Sequence, residues 1–227
     1  MLVDEALHDS IRRLAEALKP GDFDATLHAI TTAAVEVLPD VDYASITVKH
    51  ADESIDTVAP TAELVLDLDG KQYELREGPC YEAAVETAHV ISPDLATDTR
   101  FPEYGPYVVD KGIRAQAGLR LFDAPTSQGA LNIYSHRPGA FEDFSTIADL
   151  FSHQAAIAIG YAREIADLND ALRTRTTIGQ AVGIIMERYE LNDERAFAFL
   201  TRLSQHRNVK LRLIAAEIVA DVERRRG

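Results

Sequence analysis

Residues 116–134 read QAGLRLFDAPTSQGALNIY, a pattern that predicts two strands joined by a turn. The segments Gln116–Phe122 and Gly129–Tyr134 have the length and apolar content of strands. Residues 123–128 between them are long enough for a turn that pairs the two strands. Because helical periodicity stands on both sides of this pair, we predict an α+β protein that combines helices with paired strands.

The sequence before this pair begins with helical patterns and then changes period. Residues 5–18 and 24–38 carry apolar side chains at helical spacing, and proline follows each run. Tyr43–Val48 is short and β-branched, and it predicts a strand.

The middle of the N-terminal part is predicted to contain short elements and a loop. Leu64–Leu68 and Gln72–Leu75 predict the two strands of a hairpin. Gly78-Pro79 marks a turn before a short helix, and Val90-Ile91 predicts a short strand. Ser92–Pro106 contains three prolines, so we expect a loop there.

A long helical pattern runs from residue 142 to residue 189 without a proline. Within it, apolar side chains recur in steps of three and four residues, the spacing of a coiled-coil seam; they are Ala158, Tyr161, Ile165, Leu168 and Leu172. The repeat covers only about two heptads, so an amphipathic helix that lies on its own domain is the alternative. We predict a coiled coil that pairs two copies of the chain into a homodimer.

Two shorter helices are predicted after the long one. Asn192 and Asn208 precede them and are typical helix-capping residues. The apolar stripes of these helices and of the preceding helix predict a three-helix bundle. Its predicted core includes Met186, Ala196, Phe197 and Leu200.

The formal net charge of −14 is unevenly distributed along the chain. Residues 161–227 contain 12 Lys/Arg and 10 Asp/Glu, a charge of +2, which leaves −16 on residues 1–160. No acidic residue occurs between Arg195 and Ala216. Such asymmetry indicates that the basic part contacts a polyanion. The alternative is that the acidic part only keeps the protein soluble.

Several classes of protein are excluded by composition. Cys80 is the only cysteine, which excludes an intrachain disulfide and a multi-cysteine zinc site. The histidines show no paired ligand spacing and no nucleotide motif is present, so no metal is expected and the cofactor is left unknown. The acidic N-terminal segment and the lack of an apolar run of about 20 residues predict a cytoplasmic protein without membrane contact.

Four C-terminal segments stand at recognisable spacing: RTTIGQAVGIIMER at residues 175–188, DERAF at 193–197, Leu203-Ser204, and NVKL at 208–211. Together they resemble the ANTAR domain of transcription antitermination regulators. The resemblance implies binding to stem-loops in nascent transcripts, which prevents a terminator from forming. Val182 and Leu213 depart from the pattern, because many members carry a lysine and an acidic residue there.

The resemblance assigns the RNA contact to the region around the start of the last helix. Protein recognition of RNA favours unpaired loop bases and their flanking phosphates, which basic and polar side chains can bind. The RNA-binding residues implied in this way are Ser204, Asn208, Lys210, Arg212, Arg175 and Gln180.

The N-terminal part carries Glu77-Gly78-Pro79 and related segments at 42–48, 91–107, 118–121 and 129–134, in an order that resembles a GAF domain. That family implies a small-molecule-binding fold of the α+β class, with a mostly antiparallel sheet flanked by helices. The loop from Ile91 to Pro106 is a candidate lid over a pocket. The candidate lining residues of this pocket are Tyr81, Arg100, Phe101 and Tyr104. Cys80 stands at a helix start, where a thiol can be reactive because its pKa is lowered. The alternative is an inert, buried thiol.

These observations predict a GAF-like sensor domain at residues 1–160 and a linker helix with an ANTAR RNA-binding domain at residues 161–227. The predicted function is a signal-responsive transcription antitermination regulator. An enzyme is not expected, since the chain has one cysteine, no metal cluster and no nucleophile elbow. The alternative is a protein-interaction or dimerisation regulator that does not bind RNA.

Overall fold

The structure is a computed structural model that describes residues 22–85, 89–124, 127–142 and 145–226. The chain divides into two compact units, Met1–Arg163 and Glu164–Gly227. The helix predicted at residues 5–18 lies outside the described residues. No helix in the described ranges is both long enough and apolar enough to cross a membrane.

The first unit is built around an antiparallel sheet of five strands in the order β2-β1-β5-β4-β3. Its elements, in chain order, are α1 (Phe23–Val37), β1 (Tyr43–His50), β2 (Ile55–Val58), α2 (Glu63–Leu75), α3 (Pro79–Val85), β3 (Val90–Ser92), α4 (Tyr104–Asp110), β4 (Ala115–Ala124) and β5 (Ser127–Ser135). The strand pair predicted at residues 116–134 is confirmed, with Leu119 opposite Leu131. The predicted α+β class with a sheet flanked by helices is also confirmed.

The two faces of the sheet differ in chemistry because side chains alternate along each strand. On β1, Ala44 and Ile46 point into an apolar core shared with α1 and with residues 148–159 of the long C-terminal helix. Ser45 and Thr47 point to the opposite face, where they are fully buried and polar. Helices α2, α3 and α4 contribute apolar side chains to the core on that second face. The polar side chains enclosed there form a candidate functional site.

The predicted hairpin at residues 64–75 is wrong, because this segment forms the single helix α2. Its buried residues are Val65, Leu68, Asp69 and Gln72, which follow helical spacing. Two of these four residues are polar, so the helical period is not visible in the spacing of the apolar residues alone. Strand β2 was not predicted, and α4 begins at Tyr104 inside the segment expected to be loop.

The second unit is a three-helix bundle, as predicted. Its helices are α5 (Ser145–Tyr189), which begins in the first unit, α6 (Asp193–Arg207) and α7 (Leu211–Arg226). The core of the bundle is formed by one face of each helix, with Ala181, Val182, Ile185, Ala196, Leu200, Ile214 and Ala215 buried. Small residues at three of these positions let the helix backbones approach closely.

Within the bundle, the structure differs from the predictions at Asn208 and at Phe197. Asn192 caps α6 as expected, since its Oδ1 accepts the Arg195 N–H at 3.0 Å. Asn208 instead ends α6 in the left-handed conformation, with φ of 50°, which asparagine tolerates better than most residues. Phe197, predicted in the core, is 46% exposed, whereas Ala196 and Leu200 beside it are buried.

The seam predicted on α5 is partly buried and partly exposed. Ala158 packs into the core of the first unit. The next four apolar residues of the seam are exposed by 38–61%; they are Tyr161, Ile165, Leu168 and Leu172. These four side chains form an exposed apolar stripe along α5.

Candidate functional site

A buried polar cluster in the first unit is centred on the carboxyl group of Asp69. The Ser45 hydroxyl donates to its Oδ2 at 2.7 Å, and the Thr57 hydroxyl donates to the same oxygen at 3.0 Å. The Tyr134 hydroxyl donates to Oδ1. Asn132 Nδ2 donates to the hydroxyls of Ser45 and Thr47 at 2.9 and 2.8 Å, so strands β1, β2 and β5 are all joined to α2.

Burial controls the protonation of this cluster. It raises the pKa of Asp69 to about 6, and the hydrogen bonds from Tyr134, Ser45 and Thr57 oppose that shift only in part. One group lacks a partner: the side-chain oxygen of Asn132 is buried without a hydrogen bond in the described residues. A buried carboxyl that ionises near neutral pH is unusual and is typical of functional sites.

Cys80, at the start of α3, extends the cluster toward β4. Gln116 Nε2 donates to its sulfur at 2.7 Å, and the Tyr104 hydroxyl donates to Gln116 Oε1 at 2.8 Å. The thiol is fully buried, and burial raises its pKa well above the ordinary value. Desolvation of the thiolate thus shifts this pKa in the direction opposite to the one expected for a redox-active thiol.

The four predicted pocket residues are not brought together. Phe101 and Tyr104 are fully buried in the core beneath the sheet. Arg100 is engaged with Asp98 at 2.6 Å and with the Ile91 carbonyl at 2.6 Å. This arginine is the main reason that the pKa of Asp98 is lowered to about 2. Tyr81 lines a cavity.

That cavity lies where β1, β2, α2 and α3 meet and has a volume of about 310 Å³. Its walls are Lys49, Glu53, Ile55, Tyr73, Arg76, Tyr81 and Val85. The Tyr73 hydroxyl makes hydrogen bonds with Thr47 Oγ1 at 2.7 Å and Thr57 Oγ1 at 2.8 Å. Thr57 also donates to Asp69 and so belongs to the buried cluster. The hydrogen bond between Tyr73 and Thr57 therefore connects the cavity wall to that cluster. Sequence analysis anticipated Tyr81 but not the other lining residues, since they come from separate elements.

The predicted RNA-binding residues lie in the second unit. Lys210, Arg212, Arg175 and Gln180 are exposed. The Ser204 hydroxyl is engaged in donating to the Val209 carbonyl at 2.6 Å, which holds the turn between α6 and α7. Asn208 is exposed at the left-handed end of α6. Four of the six side chains are thus on the surface without a structural role in the bundle's core.

A groove on α6 was not predicted as a site. It has a volume of about 500 Å³ and is lined by Leu191, Arg195, Phe199, Arg202, Leu203 and His206. Phe199 is 39% exposed, and its ring lies 5.4 Å from that of Tyr189. A helical signal was available, because residues 195, 199, 202 and 206 share one face of the helix. The groove therefore combines an accessible aromatic ring with two guanidinium groups and an imidazole.

Metal binding has no candidate cluster in the described ranges. No group of three or more His, Cys, Asp or Glu side chains there could hold a metal ion.

Family comparisons match both units. The sequence model of the GAF domain family matches residues 21–160, and that of the ANTAR domain matches residues 166–219. No curated protein sequence matches the chain.

Solved structures share the fold at low identity. The LuxR family transcription factor CepR2 of Burkholderia cenocepacia, described as dependent on N-acylhomoserine lactone, is 12% identical, with a TM-score of 0.53 over 72% of this chain and 99% of its own. A GAF domain region from Geobacter sulfurreducens is 16% identical, with a TM-score of 0.50 over 61% of this chain and 93% of its own. The Stigmatella aurantiaca phytochrome photosensory core is 14% identical, with a TM-score of 0.54 over 88% of this chain and 44% of its own.

Proposed function

Because the chain belongs to the GAF domain family and carries an ANTAR domain after it, we propose that it is a signal-responsive regulator of transcription antitermination. GAF and ANTAR domains are regulatory rather than catalytic, and we propose no enzymatic activity. The output is the binding of stem-loop RNA by the bundle. The input is a small molecule or another signal at the first unit.

The groove on α6 is the observation that carries this proposal. Its lining contains Arg195, Arg202 and His206 and no carboxylate. Guanidinium groups bind phosphates, and an exposed aromatic ring stacks on an unpaired base. The loop of an RNA hairpin supplies both groups within a few ångströms, whereas duplex DNA keeps its bases stacked. The groove therefore suits a hairpin loop better than a duplex.

Basic side chains beyond the groove supply further phosphate contacts. Lys210 and Arg212 are exposed at the start of α7, and the Ser204 hydroxyl fixes the turn that carries them. Arg207 is less available, because its guanidinium is paired with Glu217 at 2.6 Å. We assign Lys210 and Arg212 to the RNA backbone, and Ser204 to positioning.

The buried cluster around Asp69 supports the sensing half of the proposal. It joins one helix to three strands by hydrogen bonds, and burial raises the pKa of its carboxyl group to about 6, close to neutral pH. A signal alters an equilibrium only when it binds two states with different affinity. A ligand or proton that rearranges this cluster would meet that condition.

The second candidate function is a dimerisation or protein-interaction regulator without RNA binding. The exposed stripe of Tyr161, Ile165, Leu168 and Leu172 favours it. A homodimer is also compatible with RNA binding, because two bundles in one particle can engage two hairpins. The dimer is therefore part of the main proposal as well.

Binding of the purified full-length protein to short RNAs tests the function. A panel of two-hairpin RNAs would be compared with a scrambled RNA and a duplex DNA by fluorescence anisotropy at moderate salt. We expect selective hairpin binding that weakens as salt rises. Equal binding to all nucleic acids, or none, would overturn the RNA-binding role and leave the protein-interaction function.

A further inference from the structure

Arg76 occupies a backbone conformation that ordinarily selects glycine. It caps the C-terminal end of α2 with φ of 54° and ψ of 38°, which is left-handed. Glycine is the usual residue at such a position, because a side chain is disfavoured there. The turn itself therefore does not favour an arginine at this point.

Arg76 is an exposed residue that lines the cavity between β1, β2, α2 and α3. In the part of the chain that the structure describes, no carboxylate lies within ion-pair distance of it. Lys49 enters the same cavity with a side chain that is only 17% exposed, and its Nζ lies 2.9 Å from Glu53 Oε2. An ammonium group has three donors, so Lys49 can hold Glu53 and a second anion together.

The charge in this cavity is opposite to that of its surroundings. Two cations and one carboxylate line it, within a part of the chain, residues 1–160, whose formal charge is −16. A local positive site in an acidic unit attracts anions selectively. The two cations stand on different elements, β1 and the end of α2, so they can approach one acidic group from two sides.

The remaining walls are apolar or aromatic. Ile55 and Val85 contribute aliphatic surface, and Tyr73 and Tyr81 contribute rings. The volume of about 310 Å³ is at the small end of ligand pockets. A ligand with a single ring or a branched hydrocarbon body and one carboxylate matches both the size and the lining.

We propose that this cavity binds a small organic carboxylate, with the carboxylate held by Arg76 and Lys49 and an apolar, aromatic body against Tyr73 and Tyr81. Arg76 suits this role because its planar guanidinium matches a carboxylate with two parallel hydrogen bonds. A bound ring on Tyr73 contacts the residue whose hydroxyl joins Thr47 and Thr57 to the Asp69 cluster. Binding is independent of the proposed RNA function, but the role of the ligand as a signal rests on it.

The probe is benzoate, titrated into the full-length protein by calorimetry or by chemical-shift mapping. Its neutral amide, benzamide, has the same shape without the charge, and inorganic phosphate has charge without the apolar body. We expect benzoate to bind at least about tenfold more tightly than either compound, since one bidentate charged pair accounts for such a factor. Equal binding of benzamide or phosphate, or no benzoate binding, would overturn the proposal.

Substitution of Arg76 by glycine separates binding from folding. Glycine is favoured at this φ, so Arg76→Gly should leave the thermal midpoint unchanged or raise it, yet weaken benzoate about tenfold or more. Lys49→Gln should weaken it as well. The matched control is Lys71→Gln, which removes a cation from α2 outside the cavity and should change affinity less than about twofold.

The two proposals fail differently. Unchanged benzoate affinity in a folded Arg76→Gly protein would overturn the carboxylate site. If benzoate binds as expected but RNA affinity does not change, the site stands and the sensing role proposed for the first unit is wrong.

Discussion

The hydroxyl of Tyr134 on β5 donates a hydrogen bond to the carboxyl of Asp69 on α2, although 65 residues separate them in the sequence. This contact joins the polar face of the sheet to the helix that covers it. Both groups are fully buried, and burial raises the pKa of each above its ordinary value. The contact between the two layers therefore depends on the protonation of Asp69, and the stability of the first unit should depend on pH.

The stability of the first unit should fall as pH rises from 4 to about 6. The pKa of Asp69 is about 6 in the folded state, against its ordinary value of 3.8 in the unfolded chain. The folded state therefore binds the proton more tightly. By linkage, stability then decreases with pH between these two values and is constant above them. The difference between the two pKa values corresponds to about 3 kcal/mol of unfolding free energy.

Urea unfolding of the wild type and of Asp69→Asn at several pH values measures this effect. Because other carboxyl groups also titrate, the informative quantity is the difference between the two proteins. We expect the wild type to lose stability relative to the variant over this pH range. Parallel stability curves would contradict the assignment of a raised pKa to Asp69.

Cys80 should be unreactive until the protein unfolds. The thiol is fully buried and its pKa is raised by burial, so the thiolate is scarce and inaccessible. Because it is the only cysteine, a thiol-specific disulfide reagent reports on this site alone. Reaction at the same rate in buffer and in urea would show that the site opens readily, and the redox interpretation would regain support.

Phe199 should contribute to RNA affinity through stacking. We expect Phe199→Leu to weaken hairpin binding by about 1–3 kcal/mol, the range for one stacked base. The control is Phe197→Leu, since Phe197 is similarly exposed, at 46%, but does not line the groove. Anisotropy titrations measure both variants, and equal losses would argue against a specific stacking role.

The basic side chains should determine the salt dependence of RNA binding. We expect Arg195→Gln with Arg202→Gln, and separately Lys210→Ala with Arg212→Ala, to lower the slope of log affinity against log salt by about 1.4 each, as for two phosphate contacts on a single strand. Arg207→Gln is the control, because its guanidinium is already paired with Glu217. A slope unchanged by either double substitution would remove that pair from the interface.

The apolar stripe on α5 should pair two copies of the chain. We expect Ile165→Asp with Leu168→Asp to convert a dimer into a monomer by light scattering, since charges at seam positions are costly to bury. Asp170→Ala, in the same exposed segment but off the stripe, should leave the dimer intact. A double variant that remains dimeric would show that another surface forms the interface.

The elements whose apolar period is unbroken can be predicted from the amino-acid sequence alone. Helices α1, α5, α6 and α7 and the β4–β5 pair follow from it, because the spacing of apolar side chains reports which face of an element is buried. The ANTAR-like segments were recognisable for a related reason, since their spacing is local. The basic character between Arg195 and Ala216 was also readable from composition alone.

The burial of polar groups depends on tertiary contacts that sequence patterns do not reveal. Helix α2 was mistaken for a hairpin because Asp69 and Gln72 occupy its inward face, and their burial depends on partners from distant strands. Phe197 and Phe199 are both exposed on α6, yet Phe199 lines the groove and Phe197 does not. The Arg76 cavity likewise joins side chains from four elements. Periodicity shows that a residue faces inward or outward, but it does not show what stands opposite, and that contact sets the chemistry of each site.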